Sequence, residues 1–316
     1  MRAKALGLAL VLTTFASASA APPGLEDPEG TVVQELVVRA TVAGPTWWTV
    51  ERGGSVVHVL GLPDEPFPKG LRWDQAALQR RLTGASALIV PVEPKAGLGD
   101  IPAFLRMRAR LKIKTPMEQG LPAPLAARFA AARMRLGQPA SRYSRWDAIA
   151  AGQILVNDFH DAARTSVGQP IGTIKGLAGR AGVPVRPAAK FKVVALLEPA
   201  IKNLTPEISQ ACLVEALDEV DAGGGALNAA GQAWAKGDVP GVLAGPRGFA
   251  TCLLLLQGGA AFWRETMADA ADAVTAALQK PGHSVAVFQM RSLLAKDGIL
   301  ERLKARGFKV SGGGAS

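Results

Sequence analysis

Read from its polar and apolar positions, the chain divides into a strand-rich start, a long helical middle and a short strand-bearing end. Thr31 to Val42 alternates and predicts a strand, which Gly44-Pro45 ends. Trp47 to Val50 and Ser55 to Leu60 read as a hairpin joined by Arg52-Gly53-Gly54. Asp74 to Leu82 has helical spacing, and Ala87 to Val92 is a short apolar strand stopped by Pro91 and Pro94. Beyond Pro122 the period becomes helical. Pro124 to Leu136, Arg145 to Ala163, Ile174 to Ala181 and Glu207 to Val220 are predicted helices. Asp221 to Gly225 predicts a break, followed by helices over Ala226 to Lys236 and Phe262 to Leu278. Phe249 to Trp263 carries no charge and predicts a buried helix. Ser284 to Val287 predicts a buried strand, Ile299 to Arg306 a helix and Phe308 to Val310 a last strand. The layout predicts an α/β fold: a single domain with a mixed sheet built from N- and C-terminal strands, and helices between.

Arg106 to Lys114 alternates basic and apolar residues without a break. On a strand, Arg106, Arg108, Arg110, Lys112 and Lys114 would share one face. Two readings stand. One is a solvated edge strand whose charge prevents further strand addition. The other is an anion-binding stripe.

The N-terminus carries a separate pattern. Arg2 and Lys4 precede an apolar run from Ala5 to Phe15, and small residues follow to Ala18-Ser19-Ala20. This is the layout of a secretory signal peptide over residues 1–20, cut before Ala21. Residues 21–30 then form a linker, residues 31–310 the folded domain, and residues 311–316 a flexible tail. The expectation is an exported protein, periplasmic or secreted, with no membrane span.

Composition changes the picture in four places. The chain has 316 residues with 48% apolar and 20% charged ones, which excludes global disorder. A formal net charge of +10 favours anionic partners, and export argues against nucleic acid among them. Two cysteines, Cys212 and Cys252, leave a disulfide or two buried thiols as equal alternatives. Three histidines leave little material for a metal cage. His58 lies among valines and reads as a core or edge residue, and His283 reads as a turn residue. Asn157, His160 and Asp161 would share a helix face, expected to be solvated.

Several segments in order resemble the TraB/GumN family. They are Gly44 to Val50, Gly53 to Gly61, Pro68 to Trp73, Ala87 to Val92, Ala233 to Asp238 and Ser284 to Val310. The resemblance implies a metal-dependent hydrolase scaffold, with Tiki-like peptidases as relatives. It also implies a site of two Gly-x-x-His motifs, a Glu after a strand, and an Arg-Asn pair before a Met. There, neutral imidazoles and a carboxylate would hold a divalent ion that activates a bound water.

This chain departs from that pattern at each position. The first motif reads Gly61-Leu62-Pro63-Asp64, with Asp64 at the His position. Pro91 stands at the Glu position, Trp263-Arg264 replaces the Arg-Asn pair before Met267, and Arg291 stands at the second His position. Pro has no ligand atom and Arg does not release its proton. The expectation is therefore no catalytic residue, no metal and no cofactor, and a binding role toward a cell-envelope protein or anionic polymer. The alternative is a hydrolase using shifted ligands such as Asp64, Glu65 and Glu93. If the metal site was lost, Asp64 and Arg291 or Arg264 would pair in its place.

Overall fold

Trp47–Arg52 (β1) and Ser55–Leu62 (β2) form the expected hairpin. Its two-residue turn holds Gly53 and Gly54 at φ 56° and 83°, a combination that side chains with a Cβ resist. The computed structural model describes residues 27–34, 44–64, 66–166, 170–247 and 250–312. The segments read as signal peptide, as tail beyond residue 312, and as most of the strand after Thr31 lie outside these, as does Glu65.

Phe67–Pro68 (β3), Ala76–Leu82 (α1), Leu88–Val90 (β4) and Glu93–Lys95 (β5) follow the hairpin. The middle of the chain contains Ile101–Arg110 (α2), Ala123–Arg135 (α3), Ala148–Ala162 (α4), Thr165–Ser166 (β6), Ile171–Arg180 (α5), Val185–Pro187 (β7) and Lys190–Lys192 (β8). Next come Val193–Lys202 (α6), Pro206–Ala235 (α7), Val239–Leu243 (α8), Ala250–Leu255 (α9) and Gly259–Leu278 (α10). His283–Gln289 (β9), Met290–Leu294 (α11), Ile299–Ala305 (α12) and Lys309–Gly312 (β10) close the fold.

Six strands make one mixed sheet in the order β10-β1-β2-β9-β4-β7. β1 runs antiparallel to both neighbours, whereas β2, β9, β4 and β7 are mutually parallel. N- and C-terminal strands thus interleave, as the layout predicts. Parallel pairing buries both faces, and β9 reads as the near-continuous apolar run such a strand requires. One core surrounds this sheet. A second joins α3, α4 and the first half of α7. α7 serves both, with Leu213 and Leu217 in the helical core and Trp234 in the sheet core.

Three expectations need correction. Arg106 to Lys114 is not a strand, because residues 101–110 form α2. Apolar positions two apart include positions four apart, and Ala103 and Met107 bury as one helical face. Pro102 suits the first turn, and no β-branched residue occurs between it and Lys112. The break expected at Asp221 to Gly225, by contrast, is present: Gly223, at φ 77° and ψ 167°, is not helical and separates the two halves of α7 at a kink. Phe249 to Trp263 is split between α9 and α10 rather than forming one helix. His160 is not solvated; packing of α4 on α7 buries it 2.5 Å from Glu219. Cys212 and Cys252 are bonded and tie α7 to α9. No helix among the described residues is long and apolar enough to cross a membrane.

Candidate functional site

The parallel strands β2, β9 and β4 all end on one edge of the sheet, where open α/β sheets place their clefts. Register brings the motif positions together there. Leu62 pairs with Gln289, so Asp64 and Arg291 each stand two residues beyond a matched pair. Arg291 lies in the first turn of α11, and its Nε is 3.3 Å from Asp64 Oδ2. The same guanidinium donates to the Leu243 carbonyl oxygen and, at 3.4 Å, to that of Gly245. Arg291 therefore joins the end of β2 to the end of α8.

A second ring of charge surrounds this pair. Glu29 accepts from the Ser292 hydroxyl, and Asp27 pairs with Arg247, whose second nitrogen reaches Asp27 at 3.2 Å and Glu29 at 3.5 Å. Backbone bonds hold the N-terminal segment in place. Val33 donates to Leu294 at 2.8 Å and Lys296 donates to Thr31 at 2.8 Å. Asp27, Glu29, Asp64, Arg247 and Arg291 thus form a group of three acids and two bases.

Electrostatics separates the three acids. Burial pushes the Asp64 carboxyl up to about 7; the nearby Glu29 charge adds to this, and Arg291 and Arg247 only partly offset it. Burial also raises Glu29, against the hydrogen bond from Ser292. Asp27 is half-buried, but its hydrogen bonds from Arg247 and from the Glu29 amide hold it below the ordinary range.

Pro91 ends β4 and lines two cavities. One, of about 320 Å³, is also lined by Asp64, Phe67 and Lys175. The other, of about 240 Å³, is lined by Phe191, Phe262 and Trp263. Glu93 is bound by Lys175 at 2.6 Å. Arg264 stands exposed on α10, and Asp64 takes Arg291 as its partner.

A family model described as the TraB/PrgY/gumN family matches residues 46–312, nearly the whole chain. The chain belongs to that family. Neither a curated protein nor a solved structure matches it. The metal site that the resemblance implies would lie at these strand ends, and the donor set there does not fit one. Asp64 and Arg291 carry opposite charges that bind each other, Pro91 offers no ligand atom, and Glu93 is committed to Lys175. Among the described residues, no group of three His, Cys, Asp or Glu side chains is arranged to hold an ion. His58 lies in the middle of β2, opposite Thr49 and Val285, rather than at the strand end.

Sequence reasoning did not single out Asp27, Glu29, Arg247 or Ser292. The acidic Leu25 to Gly30 stretch was the available signal, but it read as a linker. Trp234, from the segment resembling Trp-x-x-Gly-Asp, proves to brace the motif. Its Nε1 donates to the Gly61 carbonyl oxygen at 2.6 Å.

Proposed function

We propose that this member of the TraB/PrgY/gumN family is an exported, non-catalytic protein of the cell envelope. The observation that carries the reading is the Asp64–Arg291 pair at the ends of β2 and β9. A permanent guanidinium there repels a divalent ion and occupies the carboxylate that would bind it. The N-terminal pattern from Arg2 to Ala20 supports export to the periplasm or beyond. The basic charge balance supports an anionic envelope partner.

The test is metal analysis of purified protein beside a hydrolase screen run with and without chelator. The expected result is no stoichiometric Mn²⁺, Co²⁺ or Zn²⁺ and no chelator-sensitive hydrolysis. A bound equivalent of metal together with a peptidase rate abolished by chelator would overturn the reading. It would favour shifted ligands such as Asp64 and Glu93 instead.

A further inference from the structure

α2 and the turn before it, Leu98–Asp100, carry exposed apolar side chains. Leu98, Ile101 and Leu105 are 86%, 49% and 62% exposed. They are three of the five large apolar side chains that stand exposed among the described residues, and they fall within eight residues of chain. Ile101 and Leu105 are one helical turn apart. The opposite side of α2 is satisfied, because Ala103 and Met107 bury against the protein and α2 packs on α6.

Basic residues adjoin these side chains. Arg108 extends the Ile101–Leu105 line by another turn, whereas Arg106 and Arg110 lie toward the side of the buried Ala103 and Met107. Lys112 and Lys114 continue the charge past the helix end. No acidic residue occurs from Ile101 to Met117. Trp146 presents its ring to Lys112 at 3.7 Å and to Arg108 at 5.3 Å, which fixes two of the cations at one end of the helix. Arg106 is shared with Glu198 at 3.2 Å, while Arg110 and Lys114 have no ion pair among the described residues.

We infer that α2 is a docking surface for an anionic lipid bilayer, with Leu98, Ile101 and Leu105 entering the headgroup boundary and the flanking arginines and lysines meeting lipid phosphates. A soluble polyanion would use the charges and leave the leucines idle. A neutral apolar partner would use the leucines and leave the charges unmatched. Only an anionic interface uses both sides of the pattern at once. The inference extends the envelope-partner half of the proposed function and does not depend on the state of the metal site.

Co-sedimentation of the full-length mature chain with vesicles tests it. Binding is expected to phosphatidylglycerol–phosphatidylcholine vesicles at low salt, with little to phosphatidylcholine alone, and it should weaken as salt is added. Leu105→Ser should reduce affinity by about tenfold, since burial of one leucine is lost. Arg108→Gln with Lys112→Gln should reduce it by about fivefold per charge. Leu105, Arg108 and Lys112 are exposed, so both variants should melt with the wild type, and the second serves if the first does not fold. Equal affinity for both kinds of vesicle would overturn the inference. So would unchanged affinity in a folded variant. Retention on a sulfated polymer without vesicle binding would likewise overturn it, and would assign the surface to polymer. A failed metal assay would leave these outcomes unaffected.

Discussion

Asp64 and Arg291 leave adjacent parallel strands at matched register and meet at 3.3 Å. Their side chains are only 18% and 15% exposed, so the pair is shielded from solvent more than a surface ion pair. Removing Asp64 leaves Arg291 with carbonyl partners but no counter-charge. Asp64→Ala should lower stability by about 1–3 kcal/mol, read by urea denaturation. A double-mutant cycle with Arg291→Ala should show favourable coupling. Additive losses would mean that the pair contributes no specific interaction.

The Asp64 carboxyl titrates at about 7 in the folded protein, well above its value of 3.8 in the unfolded chain. The folded state therefore holds more protons between those values, and stability should fall as pH rises from about 4 to 7. Glu29 is shifted in the same direction and adds to the slope. Asp27 is shifted downward, so its contribution is lost only at lower pH. Asp64→Asn should flatten part of the slope, measured as denaturation midpoints across that range. An unchanged slope would show that Asp64 is not the titrating group.

Cys212 and Cys252 close a separation of 40 residues and link α7 to α9. Reduction, or replacement of both by Ala, should cost about 2–4 kcal/mol, because the unfolded chain regains the closed loop's freedom. Thermal melts with and without reductant would show this. Coincident melts, with intact thiol-blocked controls, would place the two sulfurs outside any stabilising role.

Gly61 packs against both Trp48 and Met290. A Cβ there would meet Trp48 at 2.8 Å and Met290 at 3.1 Å, and both side chains are buried. Gly61→Ala should therefore overpack the strand end and destabilise by about 1–3 kcal/mol. The measurement is again a denaturation midpoint, and a neutral result would show that Trp48 can move aside.

Export rests on the succession from Arg2 to Ala20. Secreted or periplasmic protein should begin at Ala21 on N-terminal sequencing. An intact Met1 on cytoplasmic protein would remove the export half of the proposed function.

The sequence alone determined the features set by local rules. Two glycines between alternating runs dictate the β1–β2 hairpin, apolar runs flanked by Pro and Gly mark β4 and β9, and the 3.6-residue period marks most long helices. The pairing of Asp64 was legible as one with Arg291 or Arg264, from the positions that the family resemblance implied, and the structure chose Arg291. What failed was wherever two periods coincide or partners are distant. The run from Arg106 to Lys114 satisfies a strand's period and a helix's, and only packing of Ala103 and Met107 chose the helix. β7 is too short to show a period at all. Glu29 and Ser292 stand 263 residues apart, and nothing local to an acidic linker shows that it folds back onto α11. Charge placement in the cleft was decided by tertiary structure, because burial and neighbours, rather than residue type, set which acid keeps its proton.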